Sequence, residues 1–170
     1  MVSGFVNLPK PVTLHSPESQ RRLSLFKQKK KYDMYPPQLV MPMKAELVNA
    51  GFEDLTSPES VDEAVKTSGT VLVVVNSVCG CAAGAARPGV KLSLQGDGSK
   101  PSKLATVFAG FDTDATNQAR RYFAPYPASS PSIALFKDGK LVHFIERHHI
   151  EGRSAEMIAE HLKGAYAEFC

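Results

Sequence analysis

A chain of 170 residues is the size of one domain and long enough to bury its own core, and its 43% hydrophobic content is that of a soluble globular protein. Three cysteines, an odd number, exclude a disulfide-stapled secreted scaffold; no stretch approaches the roughly 20 apolar residues of a membrane span and no apolar signal core follows the amino terminus, so the expected compartment is the reducing cytoplasm. The net charge of +3 is uneven: residues 1–33 hold seven Lys or Arg against Glu18 and Asp33, which leaves a net of −2 for the rest and no basic patch for nucleic acid.

Residues 1–33 carry Pro9, Pro11 and Pro17 and no clear hydrophobic period. Residues 17–31 have the makings of a short basic helix, which read functionally is a surface-binding or targeting arm. The expectation is instead a disordered basic extension, or sequence upstream of a start at Met34, because the segment has little apolar surface to bury. The domain is taken as 34–170. Pro42 is expected to open a helix that stops at Gly51, with Met43, Leu47 and Val48 inward. Thr56 and Glu59 stand at capping-box spacing before a second helix that ends near Gly69 and turns Val61, Ala64 and Val65 inward.

Five aliphatic residues follow at 71–75, four of them Val, and predict a strand buried on both faces. After Cys81 the chain turns Ala-rich and helical, with Pro88 expected to kink that helix. Residues 95–101 form a turn-rich loop. A strand over 105–109 and a helix from Asp112 or Thr113 to about Tyr122 come next, then an extended linker over 124–131. Residues 132–136 and 140–145 are strands joined at Asp138-Gly139, a strong hairpin signal. A final helix from Arg153 or Ser154 is read with Met157, Ile158, His161, Leu162 and Tyr166 on its inner face. The order α, short β, α, β, α, β, α, β, β, α predicts an α/β fold, a mixed sheet flanked by helices and closed by a hairpin and a helix.

Two thiols, Cys79 and Cys81, thus stand where a buried strand meets a helix amino terminus. Unpaired N–H groups and the positive end of the helix dipole favour an anion there, so a thiol loses its proton more easily, and the thiolate is the nucleophile. Cys79 comes first and is the expected attacking sulfur; Cys81 resolves, and Gly80 relaxes the backbone between them. A disulfide across one residue closes a small, strained ring of the labile, catalytic kind. A closed zinc site wants about four ligands, and only Cys170 remains as a third thiol. Inert buried cysteines are a weaker reading still, because small apolar residues would pack equally well.

The run Asn76-Ser77-Val78-Cys79-Gly80-Cys81-Ala82-Ala83-Gly84, with Ala86-Arg87-Pro88, resembles the signature of the bacilliredoxins, thioredoxin-like proteins with a Cys-Gly-Cys site. Asn49-Ala50-Gly51-Phe52, Thr106-Val107-Phe108-Ala109-Gly110, Ser129-Ser130-Pro131-Ser132, the run from Val142 to Arg153 and the terminal Cys170 agree with it. The resemblance covers roughly residues 35–170. It implies a thioredoxin-like architecture, a cis proline at Pro131 facing the cysteines, and bacillithiol as the small thiol co-substrate. A cis bond there would leave the backbone around Ser130 free to pair with an extended substrate, against an ordinary trans proline at a strand start.

His143, Arg147, His148, His149 and Arg153 gather near the hairpin end, either as donors for an anionic thiol substrate or as a solvated face with Glu146 and Glu151. Arg87 is read as substrate charge or helix surface, and Cys170 as a second resolving thiol, an intermolecular link or a free cysteine.

The expected function is a cytosolic thiol–disulfide oxidoreductase acting on disulfide-bonded or bacillithiol-capped proteins, with Cys79 and Cys81 catalytic, Gly80, Ser130 and Pro131 on the substrate, and Arg87, His148 and Cys170 as accessory candidates. No metal, nucleotide or other cofactor is required, and no nucleic-acid or membrane partner is expected. The alternatives are a protein disulfide isomerase with the same site, and a non-enzymatic metal or cluster carrier using Cys79, Cys81 and a third ligand from the histidines or Cys170.

Overall fold

The computed structural model describes residues 34–170. The readings of residues 1–33 as a basic extension lie outside them. In chain order the elements are α1 (Pro37–Val48), β1 (Glu53–Asp54), α2 (Pro58–Val65), β2 (Thr70–Asn76), a π-helical turn (Ala82–Ala86) running into α3 (Arg87–Ser93), β3 (Lys103–Phe108), α4 (Thr113–Tyr122), β4 (Ser132–Lys137), β5 (Lys140–Ile145), α5 (Arg147–Ile150) and α6 (Ala155–Phe169). The five strands form one sheet in the order β1-β3-β2-β4-β5. β2 runs parallel to β3 and antiparallel to β4, and β4 and β5 make the closing hairpin. The fold is α/β, a mixed sheet with helices on both faces, which is the architecture the resemblance implies.

β2 is buried along its whole length and feeds two cores. Successive side chains of a strand point to opposite faces. Val71, Val73 and Val75 pack with Val61, Ala64, Ala115, Ala119 and Phe136, beneath α2 and α4. Leu72 and Val74 pack with Leu47, Val90, Ile133, Ile158 and Leu162, against α1, α3 and α6. The unbroken aliphatic run is the sequence trace of this two-sided burial.

Several boundaries differ from the sequence reading, each for a local reason. α1 opens at Pro37, and Pro42 lies inside the helix; Pro36 and Pro37 supply the fixed φ of a helix start five residues earlier. α2 is capped by Ser57 and Ser60, not by Thr56 and Glu59. Pro58 disfavours the helical region for the residue before it, so Ser57 is extended and takes the cap position. β3 starts two residues before the expected strand. On α6, Met157 and His161 are exposed, and Ile158, Ala159, Leu162, Ala165 and Tyr166 form the buried face. The short helix α5 follows β5 where none was expected. At the hairpin, Asp138 and Gly139 both have positive φ, 50° and 77°, as a two-residue type I′ turn requires.

Candidate active site

β2 ends at Asn76, and the chain turns through Ser77 and Val78 to Cys79. The carbonyl of Cys79 accepts hydrogen bonds from the amides of Ala82 (3.0 Å) and Ala83 (3.2 Å), which seats Cys79 at the mouth of the helix. Cys79 and Cys81 are joined in a disulfide, with Cα atoms 5.5 Å apart. The helix then widens: the amide of Arg87 reaches back five residues to the carbonyl of Ala82, and a regular α-helix resumes with Pro88 in its first turn. The expected kink at Pro88 thus takes the form of a π turn just before it, a feature frequent at functional sites.

The turn is tied down from below by Arg87. This side chain is only 3% exposed, which overturns its reading as substrate charge or helix surface. Its Nε donates to Glu46 Oε2 (2.9 Å), and one terminal nitrogen donates to Asn76 Oδ1 (3.2 Å) and to the carbonyl of Ser77 (3.2 Å). Asn76 Oδ1 also accepts from the amide of Ser77 (2.8 Å), while its Nδ2 donates to the carbonyl of Met43 (3.1 Å). Buried polar groups are retained where they are satisfied, and this network satisfies each partner while fixing the backbone that carries Cys79.

The two thiols face different surroundings. Cys79 lines an open cleft of about 280 Å³, whereas Cys81 packs against the core formed by α1, α3 and α6. Gly80, between them, is exposed, and a side chain there would meet nothing within 4 Å. Ser130 lines the same cleft as Cys79, and its bond to Pro131 is cis, the isomer the resemblance implies. A second cis bond, Ala124–Pro125, lies in the preceding linker. Of the donors near the hairpin end, Arg147 reaches the cleft, donating to the carbonyl of Ser130 (3.4 Å) and pairing with Glu151 (2.6 Å).

The other members of that cluster turn elsewhere. His149 and Arg153 line a separate hollow with Phe144, Met157, Ile158 and His161. His143 is half-buried with its ring edge-on to His161 at 4.9 Å, and burial together with that neighbour pushes its imidazole below the ordinary histidine range. His148 is exposed beside Glu146 and His149, and these three form the one cluster with metal-ligand geometry among the described residues. Neither Cys79 nor Cys81 takes part in it, so the thiols are not gathered with a third ligand there. Cys170 is a free, exposed cysteine at the end of α6.

The far wall of the cleft went unread in the sequence. Thr113, Thr116, Asn117 and Arg120 line it from one face of α4, with Ser77 and Gly110 beside them. Their spacing of three, four and seven residues is one helical stripe, and that polar stripe opposite Ala115 and Ala119 is the signal available in the sequence. Lys44 anchors the start of this helix, bridging Asp54 (3.0 Å) and Asp112 (2.5 Å) from a buried position. Asp112 therefore makes an ion pair in place of a side-chain cap.

The chain is similar to known proteins over nearly all of the described residues. The family model described as "Disulphide isomerase" matches residues 35–170. A protein named bacilliredoxin from Cytophaga hutchinsonii is 65% identical over 135 residues, covering 79% of this chain and 99% of its own. A bacilliredoxin from Bacillus cereus is 51% identical over 140 residues, covering 82% of this chain and 97% of its own. Among solved structures, mitochondrial thioredoxin 3 from Saccharomyces cerevisiae aligns with a TM-score of 0.47 at 14% identity, over 69% of this chain and 95% of its own. With an exposed-to-cleft cysteine, a core-facing partner two residues on, and relatives that align over nearly their whole length, the chain belongs to the bacilliredoxin family of thiol–disulfide oxidoreductases.

Proposed function

We propose that the protein frees cysteines of other proteins from mixed disulfides with the small thiol bacillithiol, in the cytoplasm. The thiolate of Cys79 attacks the sulfur of the small thiol in the mixed disulfide. The protein cysteine leaves as a thiolate and takes up a proton, and the small thiol stays on Cys79 as a new disulfide. Cys81 then attacks the Cys79 sulfur, releasing the small thiol and leaving the Cys79–Cys81 disulfide. Two further small thiols return that disulfide to the dithiol, and themselves become a disulfide. Each step forms one S–S bond and breaks one, so no cofactor beyond the thiol co-substrate is needed.

The observation that carries this reading is the unequal placement of the two sulfurs: Cys79 in the cleft, Cys81 against the core. A nucleophile needs access, and a resolving thiol needs only to reach the first sulfur. Ser130 lines the same cleft as Cys79, so its backbone stands beside the nucleophile where an extended substrate would pass. Mass spectrometry after exposure to bacillithiol disulfide tests it. The adduct is expected on Cys79 in Cys81→Ala and absent from Cys79→Ala; an adduct on Cys81 in Cys79→Ala would reverse the roles.

Isomerisation of protein disulfides is the second reading, favoured by the description of the matching family. The site is shared and only the substrate differs. Regain of activity by a scrambled, disulfide-bonded protein at a rate above its de-thiolation rate would select it.

A further inference from the structure

Five buried side-chain atoms among the described residues lack a hydrogen-bond partner, and three of them, Ser77 Oγ, Thr116 Oγ1 and Arg120 Nε, belong to residues lining the cleft beside Cys79. Ser77 and Thr116 are themselves nine-tenths or more buried, at 6% and 1% exposure. A buried donor left unpaired costs about 1–3 kcal/mol, and native structures leave few of them. All three belong to the wall of one cleft, beside the reactive sulfur, and none has an acceptor among the described residues.

The charge of the cleft says what kind of acceptor fits. Arg120 is half-buried, and desolvation alone lowers its guanidinium from the ordinary arginine range. Among the described residues its side chain has no hydrogen-bond or ion-pair partner, and none of those lining the cleft is Asp or Glu. Arg147 lines the same cleft but is already paired with Glu151. Among the described residues, the uncompensated positive charge of the cleft is therefore that of Arg120. A guanidinium presents a planar fork that matches a carboxylate, and hydroxyls of Ser and Thr add donors to the same oxygens. A volume of about 280 Å³ is at the low end of small-molecule sites, enough for part of a small thiol and not for a folded segment.

We propose that Arg120 is the residue that sets this site's preference for an anionic over a neutral small thiol. The thiol's carboxylate takes the fork of Arg120 and the hydroxyls of Ser77 and Thr116, which aims its sulfur at Cys79. The inference rests on Cys79 being the attacking sulfur. The chemistry is the exchange already described: Cys79 thiolate displaces one half of a small symmetrical disulfide, binds the other half as a mixed disulfide, and the displaced half leaves as a thiolate.

The test uses the full chain carrying Cys81→Ala, in which the mixed disulfide on Cys79 is trapped. Rates of adduct formation are compared for glutathione disulfide, which carries carboxylates, and bis(2-hydroxyethyl) disulfide, which is neutral. Measurement at about 0.15 M salt suppresses long-range steering, since the Debye length is then about 8 Å. Arg120→Gln is expected to lower the ratio of the anionic to the neutral rate constant about tenfold, the worth of one charge-assisted hydrogen-bonded contact, and Arg120→Lys to restore part of it. A merely structural role would lower both rate constants together and leave the ratio unchanged, which would overturn the assignment of Arg120. Adduct formation with neither disulfide would overturn the nucleophile assignment itself, and that of Arg120 with it.

Discussion

Arg87 and Asn76 meet beneath the turn that carries Cys79, the guanidinium donating to the amide oxygen at 3.2 Å from a fully buried position. They stand eleven positions apart in the chain, and between them lie both thiols and the π turn. The same guanidinium holds the Ser77 carbonyl and Glu46, so one side chain joins the end of β2, the start of the active-site helix and α1.

Replacing Arg87 is therefore expected to cost more than a surface arginine would. Arg87→Met leaves Asn76 Oδ1 and the Ser77 carbonyl short of a donor, at a cost of about 2–4 kcal/mol. Arg87→Lys should recover little, since a single ammonium cannot serve three acceptors in the same plane. Urea denaturation measures the loss. Slower adduct formation on Cys79, even where the variant is fully folded, would show that the network also positions the turn.

Lys44 is the second buried cation, between Asp54 and Asp112 at the foot of α4. Lys44→Met strands two carboxylates, one of them only 8% exposed, and should destabilise by about 3–5 kcal/mol. The paired change of Lys44→Met with Asp112→Leu should recover part of that loss. Thermal or chemical denaturation of the single and double variants separates a stranded charge from lost packing.

The two glycines of the active-site helix behave oppositely. A Cβ on Gly89 would lie 2.7 Å from Ile158 Cβ and 2.9 Å from the Ala155 carbonyl, where α3 crosses α6. Gly89→Ala should cost about 1–3 kcal/mol through overpacking. A Cβ on exposed Gly84 meets nothing within 4 Å, so Gly84→Ala should be neutral or stabilise by up to about 1 kcal/mol. The unfolding midpoint of Gly89→Ala should fall below the parent's, and that of Gly84→Ala at or above it.

His143 sets a pH dependence. Its imidazole is held low, by burial first and by His161 next. The unfolded chain takes up a proton near pH 6.5, which the folded ring refuses until the pH is lower. Stability is thus unaffected above about pH 6.5, and falls as the pH drops from there towards the depressed folded value. The slope is a fraction of the roughly 1.4 kcal/mol per pH unit of one whole proton, because the ring stays half open to solvent. His143→Gln should flatten that part of the acid-side decline in urea midpoints between about pH 7.5 and 5.5.

What could be read from the sequence was what neighbours in the chain decide. The aliphatic run of β2 states two-sided burial, Asp138-Gly139 states its turn, and Cys79-Gly80-Cys81 at a strand–helix junction states a dithiol. Arg87 was misread because its burial depends on Glu46, 41 positions away. The wall of the cleft was missed for the same reason. Its face on α4 reaches Cys79 only because β3 pairs with β2, Asn76 opposite Phe108, and the Ala109 amide closes on the Asn76 carbonyl at 2.9 Å. A polar stripe on one helix does not announce which strand end it will face.

The central claim, that Cys79 takes a small thiol from a protein cysteine, is tested most directly by the reduction of a bacillithiol-capped model protein. Release of the protein's thiol is followed in single turnover with reduced parent, Cys81→Ala and Cys79→Ala. The account predicts release by the parent and by Cys81→Ala, with the small thiol left on Cys79 in the latter, and none by Cys79→Ala. Release by Cys79→Ala at the parent's rate would contradict it.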